Sequence, residues 1–433
     1  MKKIITYGTY DLFHRGHYNM LKRAKEAGDY LIVGVTGDNY DIGRGKLSVK
    51  DSLATRIENV KNTGLADEII VEEYLGQKIS DIIEYDIDAF VIGDDWKGKF
   101  DHLNAYCDVI YLERTKNISS TQLREENFKT YNIGILTDKN DDNQIIKESK
   151  LVTGYNVVGV YSEDEQLADN FALKYSLNRV YSSMGAIMND SDVIYVRCGL
   201  DKRYDLIKQA LSNNKHVICD PPFTLSADKE IELFDTAKEH NVILMENTKM
   251  VHVNVFNQLL WMTRGGLIGD IIKFNCSVSK NDKNIDDLFY DLMALALCPV
   301  IKIMGTDYKS LHIKNSRDNG HIEFSSAILG YETGEAVLNV GNQVRVANEM
   351  EIIGTKGTIR LRNNWWKGNY FELEKVDSNT PEFYNMNFEG NGFKFLLKHM
   401  YSMLKNDRIE SLGLKREEST RIIEIIEKIE KED

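Results

Sequence analysis

No stretch of this 433-residue chain approaches the roughly 18–20 consecutive apolar residues needed to span a bilayer. Its first residues, Met1-Lys2-Lys3-Ile4-Ile5, have no secretory pattern and read as the entry to a strand. From these absences a cytoplasmic protein with no membrane partner is expected. Cysteine is sparse: Cys107, Cys198, Cys219, Cys276 and Cys298 are odd in number, scattered and without C-x-x-C spacing. They read as reduced thiols, and no zinc site is expected. Positive charge is outweighed, with 54 Lys and Arg against 67 Asp and Glu and a net charge of −13. That balance argues against nucleic acid as a main partner. No internal repeat or low-complexity tract is visible.

The informative feature is near the N-terminus. Tyr7-Gly8-Thr9-Tyr10-Asp11-Leu12-Phe13-His14-Arg15-Gly16-His17 follows a short apolar strand, Ile4-Ile5, and precedes a helix predicted over 18–27. A helix N-terminus offers unpaired N–H groups and partial positive charge to phosphates. Gly8 and Gly16 let the backbone approach a ligand closely. His14 and His17, three apart, can face one phosphate chain and donate to it. Gly28 follows the helix as a C′ glycine would, and an apolar strand over 30–35 comes next. This βαβ opening puts the motif at the C-terminal edge of a strand, where open α/β sheets bind ligands.

Three further blocks follow in order: Gly43-Arg44-Gly45-Lys46, then Gly93-Asp94-Asp95-Trp96-Lys97-Gly98-Lys99-Phe100-Asp101, then Arg114-Thr115-Lys116-Asn117-Ile118-Ser119-Ser120-Thr121. Together with the first motif they make residues 1 to about 126 resemble the cytidylyltransferases of the nucleotidyltransferase superfamily, of the glycerol-3-phosphate cytidylyltransferase type. The resemblance implies a phosphate-binding role for Lys46. It also implies nucleotide contacts from Gly8, Thr9, Tyr10, Asp11, Gly16, Thr115 and Ile118. Arg114 is a fixed cation suited to phosphate oxygens. Ser119, Ser120 and Thr121 read as the N-cap and first turn of a helix running to about residue 128, a second N-terminus for phosphate. Asp94 and Asp95 follow the apolar strand 89–92. They can accept from the exocyclic amine of cytosine or help hold a metal, and base recognition is favoured for at least one. Arg56 reads equally as a second basic site residue or as an exposed helix charge.

The chemistry implied is attack by an alcohol phosphate on the α-phosphorus of CTP, with pyrophosphate leaving. No general base is needed, because the nucleophilic oxygen is already anionic. The protein positions and stabilises charge, with His14, His17, Lys46 and Arg114 in the catalytic set and Mg²⁺ bridging the triphosphate. The residues holding that metal are not legible. One departure bears on the acceptor: where the family shows E-x-x-W-x-Q-K, this chain reads Glu72-Glu73-Tyr74-Leu75-Gly76-Gln77-Lys78.

From Tyr131 the pattern restarts. Strands are predicted over 131–136, 157–161, 193–196 and 217–219, with a helix before the second and another over 204–213; alternation of this kind implies a parallel, doubly wound sheet. Asn214-Lys215-His216-Val217-Ile218-Cys219-Asp220-Pro221-Pro222, Gly266-Leu267-Ile268-Gly269-Asp270 and Ile352-Ile353-Gly354-Thr355-Lys356-Gly357-Thr358-Ile359 resemble the glucose–fructose oxidoreductase / inositol dehydrogenase family. Its G-x-G-x-x-G fingerprint is set against Gly134-Ile135-Leu136-Thr137-Asp138-Lys139, without the second and third glycines. Its E-K-P lysine falls on Pro221, and its D-x-x-x-H histidine on Leu295. Bound NAD(P) and dehydrogenase activity are therefore not expected. Trp365-Trp366 with Tyr370-Phe371 reads as core or interface ahead of a sugar platform. In the last helix, over 415–430, the Ile422, Ile425, Ile426 and Ile429 stripe is expected to dock on its own domain.

The expected fold is α/β: a nucleotidyltransferase Rossmann-like domain over 1–128, a second Rossmann-like domain over 131–247, and an α+β domain over 248–433 on a large, mostly antiparallel sheet able to pair copies into a homo-oligomer. The expected partners are CTP and an alcohol phosphate, for bacterial surface polymer synthesis. Three rivals are a bifunctional enzyme with an active reductase, a non-catalytic nucleotide-binding scaffold, and an adenylyltransferase.

Overall fold

Short runs rich in Ile and Val, buried along the central strands and partly buried at the edges, build the first sheet. In the computed structural model these are β1 (Lys3–Gly8), β2 (Tyr30–Thr36), β3 (Glu68–Glu72), β4 (Ala89–Gly93) and β5 (Asp108–Leu112). The structure describes residues 1–38, 49–74, 76–113, 129–140, 144–152, 154–280, 287–378, 380–388 and 390–432. The chain divides into two units, Met1–Thr130 with Leu151–Gly154, and Tyr131–Lys150 with Tyr155–Asp433.

In the first unit the strand order is β3-β2-β1-β4-β5, all parallel. The sequence order reverses between β1 and β4, which opens a crevice at their C-terminal ends. Alternate residues feed two cores, as period-two side chains must. Ile4, Leu31, Val33 and Val91 pack with Leu21 and Val60 on one face; Ile5, Ile32 and Phe90 pack with Ile82 and Leu103 on the other. The first helix, α1, spans Arg15–Glu26 with His14 as its N-cap, so it begins three residues before the predicted start. Gly28 does not take the left-handed conformation expected of a C′ glycine. A Cβ there would lie 2.5 Å from Ile4 Cγ1; close approach to β1 is what excludes a side chain.

The second unit holds two sheets. Strands β6 (Tyr131–Thr137), β7 (Tyr155–Tyr161), β8 (Val193–Arg197), β9 (His216–Cys219) and β10 (Leu244–Glu246) form a parallel sheet in the order β10-β9-β8-β6-β7. Helices Leu200–Ser212 and Ala227–Glu239 connect its later strands. The other sheet contains β11 (Ile271–Lys280), β12 (Ser310–Asp318), β13 (His321–Gly330), β14 (Glu335–Asn342), β15 (Glu349–Gly354), β16 (Gly357–Arg362), β17 (Tyr370–Lys375) and β18 (Glu382–Asn385). Its order is β12-β13-β14-β11-β15-β16-β17-β18, antiparallel except between β11 and β14. These strands alternate buried and partly exposed residues, as in β14, because only one face meets the core.

Trp365 and Phe371 belong to that core, and the Trp365 indole N–H donates to Ser277 O at 3.0 Å. The aromatic pair is therefore packing, as expected. The last helix, Arg416–Lys431, buries Ile422, Ile425, Ile426 and Ile429 against helices Leu288–Met304 and Ala227–Glu239 of its own unit.

Candidate active site

The turn after β1 is shaped by two non-glycine residues in the left-handed region, Tyr10 at φ 55° and Leu12 at φ 48°. Each such residue costs on the order of 1 kcal/mol or more, strain that clusters at functional turns. The Tyr10 ring folds back over Gly8, where an added Cβ would lie 2.8 Å from Tyr10 Cζ. Gly8 is thus required by Tyr10, in addition to any ligand. Asp11 is buried, and its Oδ1 accepts from the N–H groups of Lys50 and Asp51, both at 2.9 Å. In return Leu12 N–H donates to Asp51 Oδ2 at 2.9 Å.

That turn delivers His14 to the N-cap of α1. Its Nδ1 accepts from Gly16 N–H at 3.0 Å, which leaves Nε2 as the protonated nitrogen of a neutral ring. His17, in the first helical turn, stacks on His14 with centroids 3.9 Å apart and planes 18° off parallel. Tyr10 meets His17 edge-on at 5.6 Å, and Phe13 packs on it at 5.4 Å. The two histidines, Gly16 and the helix N-terminus therefore converge at one spot. Thr9 is buried beside them, with its carbonyl turned to Arg56. Asp94 and Asp95 are exposed at the end of β4, across the switch point from β1. Lys46, Arg114, Thr115, Ile118, Ser119, Ser120 and Thr121 lie outside the described residues.

Arg56 is not an exposed charge. It is fully buried and donates to Thr9 O at 2.9 Å, Thr36 O at 2.7 Å and Asp51 O at 3.1 Å, and it pairs with Asp38. It ties the ends of β1 and β2 to the start of helix Leu53–Lys61. Lys78 is a cation the predicted set omitted. Its ammonium pairs with the buried Glu72 carboxylate and lies 4.4 Å from the Tyr7 ring centroid. Tyr7 O–H donates to Asp81 at 2.7 Å; burial first, then Asp81, pushes the Tyr7 phenol up. The Gln77-Lys78 pair of the altered block was the available signal. Tyr74, which stands where the family has tryptophan, is exposed.

In the second unit the strand ends carry a different chemistry. Gly134 lies inside β6, where a Cβ would meet Ser191 Oγ at 2.4 Å; it serves helix packing. Thr137 ends the strand and Asp138-Lys139 follow it, so none of the three fingerprint glycines is there. Asp138 Oδ2 accepts from Gly199 N–H at 2.9 Å, which puts a carboxylate where a pyrophosphate would seek backbone donors. At the end of β9, Asp220 pairs with Arg197 at 2.8 Å and accepts from Asn247 Nδ2 at 2.7 Å and Tyr195 O–H at 2.9 Å. Burial would push the Asp220 carboxyl up, but Arg197 and Arg203 hold it down at about 2. Asp291 is held by the buried Arg203 at 3.1 Å. Among the described residues no group of three or more His, Cys, Asp or Glu side chains could hold a metal ion.

A parallel sheet with two histidines at a helix N-terminus on its switch point defines a nucleotidyltransferase-type domain. Residues 5–126 match the cytidylyltransferase-like family. The glycerol-3-phosphate cytidylyltransferase of Bacillus spizizenii is 54% identical over 126 residues, 29% of this chain and 97% of that protein. The chain belongs to the cytidylyltransferase-like family through its first unit.

Residues 137–248 match an oxidoreductase family described as an NAD-binding Rossmann fold. The trans-1,2-dihydrobenzene-1,2-diol dehydrogenase of Xenopus tropicalis is 26% identical over 226 residues, 49% of this chain and 68% of that protein. A 3-ketoreductase from Actinomadura kijaniata, solved with NADP and TDP-benzene, has the same fold: TM-score 0.61 and 18% identity, over 69% of this chain and 96% of that one. The family description and that neighbour's NADP count against the expectation that NAD(P) is not bound. The residues at the end of β6 count the other way, since Asp138 does not fit a pyrophosphate.

Among the described residues no helix is long and apolar enough to cross a membrane.

Proposed function

We propose that the first unit transfers CMP from CTP to a polyol phosphate, with glycerol 3-phosphate as the leading acceptor. The observation that carries this is the stacked His14–His17 pair at the N-terminus of α1 on the sheet's switch point. The 54% identity to a glycerol-3-phosphate cytidylyltransferase supports the choice of acceptor. An acceptor phosphate oxygen attacks the α-phosphorus; the bond to the bridging oxygen breaks, and pyrophosphate leaves with the electron pair. His14 donates through Nε2–H to the phosphate oxygens as charge builds, with His17 beside it. Lys46 and Arg114 complete the cationic set by resemblance, and Asp94 or Asp95 reads the cytosine amine. Lys78, above Tyr7, is the candidate contact for the acceptor. Mg²⁺ entering with CTP would supply further positive charge against the triphosphate.

Pyrophosphate release from CTP and Mg²⁺ tests this, with glycerol, ribitol, erythritol and ethanolamine phosphates as acceptors. Release with one acceptor, lost in His17→Ala, is the expected result. Absence of CTP binding overturns the reading; CTP binding without turnover on any acceptor favours the scaffold.

For the second unit we infer a fold without hydride transfer. Pro221 offers no proton donor where the family has lysine, and Asp138 adds a carboxylate at the end of β6, which weighs against an anionic pyrophosphate there. The rival is a reductase that supplies the polyol phosphate, favoured by the NADP-bearing neighbour. Titration of the full chain with NADPH, followed by its fluorescence, separates the two. No binding is expected; binding with oxidation of the cofactor by a keto-sugar phosphate establishes the rival. A cytoplasmic homo-oligomer supplying surface polymer synthesis completes the proposal, on resemblance alone.

A further inference from the structure

In the second unit three elements meet at two buried carboxyls. Glu230, on helix Ala227–Glu239, is fully buried, and Glu246, the last residue of β10, is nearly so. Between them is Ser419 of the last helix. Its Oγ lies 2.5 Å from Glu230 Oε1 and 2.8 Å from Glu246 Oε1. A hydroxyl has one proton and can donate to only one of the two. The other short contact then needs a proton from the carboxyl side, because two lone-pair oxygens do not approach that closely. The second oxygen of Glu230 has no hydrogen-bond partner among the described residues, which suits a neutral acid and not a carboxylate.

We infer that Glu230, Ser419 and Glu246 share one retained proton, and that its loss on alkalinisation unlatches the last helix from the parallel sheet. The order is Glu230 carboxylic acid to Ser419 Oγ, and Ser419 O–H to the Glu246 carboxylate. Burial pushes the Glu246 carboxyl up, to about 7, but Ser419, Thr248 O–H at 3.4 Å and Arg203 favour its charged form, so it is the better anion of the two. Burial first, then the charge of Glu246, pushes the Glu230 carboxyl well up.

The surrounding charges do not supply an alternative switch. On the last helix, Glu418 is paired with Lys302 of helix Leu288–Met304 at 2.8 Å, and Arg416 with Asp235 at 2.6 Å. Arg203 is paired with Asp291. Burial and the neighbouring His399 and Lys302 hold His252 down at about 3, so it stays neutral across the relevant range. Burial pushes the Cys298 thiol up. Loss of the shared proton would leave two carboxylates against one hydroxyl, with no nearby cation unpaired among those named here.

The sign follows from linkage. The folded state holds a proton that the unfolded chain, with a glutamate near its ordinary value, has released. This contribution is therefore complete below about pH 4 and is lost as pH rises toward the elevated folded value.

The test uses the full chain. Infrared spectra at neutral pH, wild type minus Glu230→Gln, should show the carbonyl stretch of a protonated carboxyl. Hydrogen exchange of amides 416–431, corrected for intrinsic rates, should show opening that rises between pH 6 and 9 by up to about tenfold per pH unit. That slope should vanish in Glu230→Gln. Absence of the band, or an equal slope in the variant, overturns the inference. Should Glu230→Gln fail to fold, Ser419→Ala removes the acceptor of the acid proton and should shift the band to higher frequency. An unmoved band overturns the assignment.

Discussion

His14 accepts the Gly16 N–H through Nδ1 at 3.0 Å while its ring stacks on His17 at 3.9 Å. One side chain thus caps the helix through Nδ1 and presents its ring face to the second histidine. The two jobs can be separated by substitution.

His14→Asn keeps a capping acceptor but removes the Nε2 donor. Stability of the first unit should change by less than about 1 kcal/mol. The kcat for CMP transfer should fall by about 10²–10³, the usual cost of one transition-state donor. Steady-state kinetics beside denaturant titration checks both; kcat within fivefold of wild type would remove His14 from the phosphate.

Asp11 holds the backbone of Lys50 and Asp51 against the β1 turn. Asp11→Ala leaves two partly buried donors without their acceptor, an expected loss of about 1–3 kcal/mol in the first unit. Asp11→Asn, which retains one acceptor oxygen, should lose less. Equal losses in the two variants would mean that the hydrogen bonds to Oδ1 are not what Asp11 contributes.

Asp220 ties together Arg197, Asn247 and Tyr195, and its carboxyl is held at about 2. A depressed folded value contributes stability above the unfolded value, near 4, and that contribution is lost as pH falls through 2. The contribution is about 2 kcal/mol. Asp220→Asn should therefore destabilise the second unit at pH 7 and flatten its acid limb between pH 4 and 2. Calorimetry across that range decides it; an unchanged acid limb assigns the slope to other carboxyls.

Trp365 is buried in the core of the large sheet and donates to Ser277 O. Trp365→Ala should cost about 3–5 kcal/mol by cavity formation, and Trp365→Phe less, losing chiefly the indole donor. Loss of a sugar ligand without loss of stability would restore the platform reading that the packing contradicts.

The first unit was legible because its site is local. Strand, turn and helix N-terminus follow one another within the first 26 residues, so spacing alone brought His14 and His17 together. Arg56 was not legible, since its partners Thr9, Thr36 and Asp38 come from other elements and only the packed sheet shows that its charge is buried. The same holds for Lys78 over Tyr7. Gly134 was set at the fingerprint's first glycine because sequence matching cannot tell a strand interior from the turn that follows it. Strand β6 runs on to Thr137, and Gly134 is needed for the close approach of Ser191 and Ile187.

By itself the sequence determined the α/β class, the nucleotidyltransferase motif and the departures from the oxidoreductase family's glycine, lysine and histidine positions. These depend on local pattern: apolar runs of strand length, a helix start beside two histidines, and residues such as Pro221 whose chemistry is fixed by type. Only the tertiary structure decided which charges are buried and whom they meet. Glu230, Glu246 and Ser419 are up to 189 positions apart, and no periodicity connects them. Their protonation depends on desolvation and on a shared hydroxyl, and both exist only once three separate elements have packed.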